Sequence, residues 1–253
     1  MRFIDLSLPL DNDAHWAPHW ARCRVRRQGH SFGAWAIWWL FGVPRKLLRT
    51  RLGWANDVLT LSTHGTTHVD APWHYGPTVA GRPAKTIDEV PLDWCYGPGV
   101  RLDFRHKQDG EAITVADLRQ AFDQIGHELQ PGEIVLIQTG NDRYFGAPDY
   151  FTRGSGMSAE ATRWLLERGV RLTGIDSWGW DVPLPVLAKR AKAANRDDVF
   201  WAAHYVGIDH EYCHIERLTN LDQLPPRGFL VCAFPLKVKG GSAGPARVVA
   251  MIP

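Results

Sequence analysis

Within eleven residues, the run His64-Gly65-Thr66-Thr67-His68-Val69-Asp70-Ala71-Pro72-Trp73-His74 sets three histidines and one aspartate at positions of the same parity. Imidazole and carboxylate together form a ligand set for a divalent cation such as zinc. In an extended chain residues i, i+2 and i+4 share a face, so even spacing can converge several of these side chains. Gly65, Thr66, Thr67 and Val69 suit an extended or tightly turned segment, and Pro72 is expected to bar a helix just before His74. Among 11 histidines a pair four residues apart arises easily by chance. Four ligand-type residues in one parity class do not, and the spacing points to a metal site.

Two other motifs mimic catalytic signatures. His210-Glu211-Tyr212-Cys213-His214 matches H-E-x-x-H, which requires a helix carrying both histidines and a further ligand. Here only Glu216 and Asp222 follow as acids before Pro225-Pro226, so His210 and His214 are set aside. Gly240-Gly241-Ser242-Ala243-Gly244 matches the nucleophile elbow G-x-S-x-G, which must lead into a helix and be followed by an acid and a histidine. Pro245 and a β-branched run follow instead, and no Asp, Glu or His occurs after Gly244. Neither a phosphate-binding loop nor a dinucleotide fingerprint is present.

The elements that must position the cluster are those of an ordinary globular chain. The 253 residues are 45% hydrophobic and 22% charged, with a formal net charge of +2. That charge carries no basic excess of the kind nucleic-acid binding requires. Four dispersed cysteines (Cys23, Cys95, Cys213, Cys232) imply no disulfide framework, and the charged opening Met1-Arg2-Phe3-Ile4-Asp5 is not expected to be a signal peptide. A cytoplasmic protein is expected. Arg2 to Leu10 reads as a first strand. Thr114 to Leu129 reads as a helix capped by Thr114 and Asp117, followed by a buried strand over Glu133 to Gln138. Ser158 to Gly169 reads as a second capped helix and Val170 to Ile175 as the next strand. Leu230 to Val238 and Ala246 to Ile252 read as a closing pair of strands. Residues 31–54 are rich in Trp and Arg. They predict a short helix, a break at Pro44 and a second, basic helix, serving as a lid or an oligomer contact; an amphipathic membrane-surface segment is the other reading. Strands with only a few helices indicate a mixed α/β fold in a single domain over 1–253.

The cluster resembles the cyclase family of metal-dependent hydrolases, which includes bacterial kynurenine formamidases and isatin hydrolases. Its hallmark H-x-x-x-H-x-D-x-P-x-H is filled by His64, His68, Asp70, Pro72 and His74. Similarity continues through Ile4-Asp5-Leu6-Ser7, Val135 to Gly140, Gly174-Ile175-Asp176-Ser177, Ala203-His204, Ile215 to Leu221 and Gly240 to Arg247. Residues 11–55 have no counterpart in it.

The resemblance implies a swivelling β/β/α-type fold and a homodimer or homotetramer acting on a small aromatic or unsaturated cyclic substrate, with no nucleic acid and no membrane. It implies that His64, His68 and Asp70 bind one metal, with Asp70 bridging to a second completed by His204 and Glu216. Zinc is the first choice and manganese the second. A bound divalent cation brings the pKa of its water from about 15.7 to about 7, giving hydroxide to attack an amide, aryl formamide or lactone. His74, four residues beyond Asp70, is the candidate general base and acid. With 12 tryptophans, among them Trp16, Trp20, Trp73, Trp178 and Trp180, an aromatic-walled pocket is expected. Trp73, Ser177 and Trp178 are the candidate substrate-binding residues. A polyketide-type cyclase or dehydratase is the second enzyme reading, and a non-catalytic binding or membrane-surface protein is the non-enzyme one. The complete ligand set speaks against the latter.

Overall fold

The computed structural model describes residues 1–12 and 22–253; Trp16 and Trp20 lie outside the described residues. The chain opens with β1 (Arg2–Asp5), β2 (Arg24–Gln28), α1 (His30–Phe41) and β3 (Asn56–Thr60). The cluster follows as β4 (His68–Asp70) and α2 (Pro72–Tyr75), then the short ladder of β5 (Thr78–Val79) and β6 (Arg82–Pro83). Next come β7 (Tyr96–Asp103), β8 (Ala112–Ile113), α3 (Val115–Gln124), β9 (Ile134–Gln138), β10 (Gly156–Met157), α4 (Ala159–Leu166) and β11 (Leu172–Ile175). The last part holds α5 (Leu184–Ala194), α6 (Ala202–Tyr205), β12 (Cys213–Glu216), β13 (Phe229–Cys232), β14 (Ala243–Pro245) and β15 (Val249–Ile252).

Among the described residues, nine strands join one mixed sheet in the order β1-β15-β13-β7-β9-β11-β12-β4-β14. Its centre, β7 to β12, is parallel, and antiparallel strands extend both flanks. Both faces are covered, so β9 at the centre is apolar from Ile134 to Ile137. In β9, Ile134 and Leu136 enter one core with Val69, Ile215 and Val231, while Val135 and Ile137 enter the other with Leu118, Phe122 and Leu165. The fold is mixed α/β, as the element pattern predicts.

Local chemistry sets most boundaries. Thr114 and Asp117 form a capping box on α3, and Ser158 accepts from the amide of Ala161 at the start of α4. The expected closing strands form as the shorter β13 and β15, which pair antiparallel. Two expectations are corrected. The basic segment after Pro44 forms only a single 3-10 turn, Arg45–Leu47, with no residue buried, so nothing holds a longer amphipathic helix in place. Pro72 does not exclude a helix: it occupies the first turn of α2, where a missing N–H costs nothing, and so places His74 on a helical turn. In α1, Trp35, Trp38, Trp39 and Phe41 are exposed, and Gly42 ends the helix at φ +68. Among the described residues no helix is long and apolar enough to cross a membrane.

Candidate metal centre

Register builds the centre. In the antiparallel pair β4 and β12, His214 stands opposite Asp70 and Glu216 opposite His68, with Ile215 and Val69 between them pointing into the core. The strand period of two then turns all four polar side chains to the other face. Two turns bring in neighbours: the bend at 63–67 delivers His64, and α2 delivers His74. His204 arrives on α6, where the amides of Ala203 and His204 donate to the Asp181 carboxylate.

The two carboxylates divide the imidazoles into two groups. Asp70 Oδ1 lies 2.8 Å from His64 Nδ1 and 3.2 Å from His68 Nε2, and Glu216 Oε2 lies 3.6 Å from the same His68 nitrogen. Asp70 Oδ2 lies 3.0 Å from His214 Nε2, while Glu216 Oε1 lies 3.3 Å from His214 Nε2 and 3.4 Å from His204 Nε2. Asp70 and Glu216 thus each turn one oxygen toward each group.

The second nitrogen of these histidines is tied outward. His64 Nε2 meets Ser242 Oγ at 2.9 Å, His68 Nδ1 donates to the carbonyl of Thr66 at 2.6 Å, and His204 Nδ1 bonds Asp181. His214 Nδ1 lies 3.1 Å from the Tyr75 hydroxyl and 3.2 Å from that of Tyr212, which donates to the carbonyl of Ala203. Outer hydrogen bonds of this kind fix the ring and leave the inner nitrogen a lone pair for a metal. Tyr75 packs so closely on Gly207 that a Cβ there would meet its ring at 2.0 Å.

The donor set demands positive charge. Among the described residues, both oxygens of Asp70 and Nε2 of His214 are buried with no well-aligned hydrogen bond. Burial works against ionisation of Asp70, yet His74, His68 and His64 hold its carboxyl well below the usual range. Glu216 is held low in the same way, against its burial, by His204 and His214. Burial disfavours charge on His204, but Asp181 and Glu216 carry its pKa up to about 10. Carboxylates that draw a proton onto an imidazole so strongly would equally draw a cation, and a buried charge must be paired. The residues therefore fit a divalent metal.

His74 differs from the other four histidines. Its Nε2 is 3.8 Å from Asp70 Oδ2, no outer hydrogen bond among the described residues anchors its ring, and it faces a cavity of about 440 Å³. Burial pulls its pKa down to about 4, which leaves the imidazole neutral and able to accept a proton. The Trp201 ring meets it edge-on at 5.1 Å and stacks on His204 at 4.4 Å. Phe151, Trp178, Val182, Leu184, Phe200 and Trp201 wall the cavity, and Ser177 and Arg217 line it.

All five expected ligands, His64, His68, Asp70, His204 and Glu216, come together, with His74 beside them. Ser177 and Trp178 line the cavity. Trp73 does not: it is 46% exposed and outside the lining, because the turn of α2 that aims His74 inward aims its neighbour out. Trp180 is fully buried and stacks on His214 behind the centre. His214, set aside as part of a false protease motif, belongs to the centre through β12. The alternation of His214 and Glu216 two residues apart was the available signal. Ser242 and Trp201 were also missed. The elbow motif leads into strand β14, not a helix, and its serine orients His64.

The family model Cyclase matches residues 4–182. A kynurenine formamidase of Salinibacter ruber is 30% identical over 197 residues, covering 76% of this chain and 77% of its own. An isatin hydrolase of Roseibium aggregatum is 25% identical over 206 residues, 77% of this chain and 74% of its own. Among solved structures, isatin hydrolase A from Ralstonia solanacearum superposes with a TM-score of 0.77 at 25% identity, covering 100% of this chain and 92% of that one.

Proposed function

This chain belongs to the cyclase family, and on that premise we propose that it is a metal-dependent hydrolase of amide C–N bonds, with an aryl formamide or a cyclic aromatic amide as substrate. The observation that carries this reading is the split of Asp70 and Glu216 between two groups of imidazoles, with an unanchored His74 at the cavity wall. His64 and His68 would hold one cation and His204 and His214 a second, with both carboxylates shared. Zinc is the first candidate and manganese the second, since an imidazole and carboxylate set selects weakly between them. A homodimer or homotetramer in the cytoplasm completes the reading.

When bound, the metal supplies an activated water and polarises the substrate carbonyl. The protein supplies the rest. The aromatic walls hold the arene and exclude bulk water. His74 takes the proton from the attacking water and returns it to the departing nitrogen, a task suited to a neutral imidazole whose ring is fixed by Trp201 rather than by a hydrogen bond. Asp181 keeps the His204 ring oriented.

Hydrolysis of N-formylkynurenine, isatin and dienelactone, with and without chelator, tests the reading. Turnover of one of the two amides is expected, lost on chelation and restored by zinc or manganese. Activity indifferent to chelation, or confined to the lactone, would overturn it.

A further inference from the structure

Arg217 lies in the wall of the same cavity yet has no part in the metal centre. Only 2% of it is exposed, and it makes no ion pair among the described residues. Its backbone is fixed in the left-handed region at φ +60, with its amide donating to the carbonyl of Ser177 at 3.0 Å and its carbonyl accepting from Thr67. Such a conformation in a bulky residue persists only where surroundings enforce it, and it is found at binding sites. The guanidinium lies 3.6 Å over the Trp178 ring, and Nε donates to the Trp178 carbonyl at 3.3 Å. Among the described residues, Nη1 is buried with no hydrogen-bond partner.

A permanently charged fork, held rigid by an aromatic face and short of an acceptor, is preorganised for a planar oxyanion. The aromatic walls on either side admit a flat ring. A carboxylate released by the reaction itself would form at the metals, so the group that meets Arg217 is one the substrate already carries.

We propose that Arg217 is a specificity-determining residue that selects aromatic amides bearing a carboxylate on the arene. This rests on the hydrolase reading above. In the reaction, water adds to the amide carbonyl carbon, the C–N bond breaks, the acyl group leaves as a carboxylate and the aryl nitrogen takes up a proton. The arene carboxylate is unchanged throughout.

The test compares formanilide with 2- and 4-formamidobenzoate on the metal-loaded enzyme, in wild type, Arg217→Met and Arg217→Lys. Wild type is expected to prefer one formamidobenzoate by tenfold or more in kcat/KM. Arg217→Met is expected to reduce that ratio at least tenfold, mainly through KM, and Arg217→Lys to restore part of it. A wild-type ratio near one with both isomers, or an Arg217→Met variant that slows all three substrates equally, overturns the proposal. If wild type turns over none of them, the hydrolase reading fails on these substrates, and Arg217 is decided by binding alone. Tryptophan fluorescence then compares benzoate with benzamide. A preference for benzoate that disappears in Arg217→Met supports the role, and equal affinities overturn it.

Discussion

Asp70 Oδ2 and His214 Nε2 face each other at 3.0 Å across paired positions of β4 and β12. Behind the ring, His214 Nδ1 lies 3.1 Å from the Tyr75 hydroxyl and 3.2 Å from that of Tyr212, which donates to the Ala203 carbonyl. With a proton at Nδ1, the Nε2 lone pair would face the Asp70 carboxylate in a fully buried place, an arrangement that a cation between them would satisfy. On the proposed reading, that relationship would make His214 a ligand and give the metal centre its second half.

Metal content measured by elemental analysis after gel filtration checks this. The wild type should retain close to two equivalents of divalent metal. Asp70→Asn should drop both sites, to below about half an equivalent, since its carboxylate is shared. His214→Ala should lose about one. A His214→Ala variant with the wild-type content would remove that residue from the centre.

His74→Ala should keep its metal and lose about 10²- to 10⁴-fold in kcat, the usual contribution of a general acid–base group. The ring has no outer anchor and lies farther from Asp70 than the other imidazoles that face it. Loss of metal together with activity would make His74 a ligand instead.

Asp176 gives a pH dependence distinct from the centre. Burial pushes its carboxyl up from 3.8 to about 7, against hydrogen bonds from the Thr139 hydroxyl and the amides of Thr139 and Gly140. Between those two values the folded chain holds a proton that the unfolded chain has released. The contribution to stability is therefore complete below about pH 4 and is lost as pH rises through about 7. Asp176→Asn removes the titration, so its Tm relative to wild type should climb over that window. A difference that stays flat from pH 4 to 7 would show that Asp176 remains ionised throughout.

Much of this was legible in the chain itself. The capping pairs at Thr114 and Ser158 and the apolar run of β9 are local signals, and they appear where the sequence puts them. The ligand types at 64, 68 and 70 were equally plain. Trp73 lies outside the cavity lining because one turn of helix, begun by Pro72, separates the directions of adjacent side chains. The basic segment after Pro44 has helical periodicity but no surface to bury against, and periodicity alone does not hold a helix together.

The amino-acid sequence by itself determined the chemistry: which side chains can hold a cation, and that His64, His68 and Asp70 are close enough along the chain to act together. The tertiary structure decided membership. His204, His214 and Glu216 reach Asp70 only because β12 pairs with β4 in one register, and a shift of one residue would turn His214 and Glu216 into the core. It likewise decided that Ser242 orients a histidine and that Nη1 of Arg217 is buried without a hydrogen-bond partner among the described residues. Strand pairing between distant segments depends on packing across the whole sheet, and no local pattern encodes it.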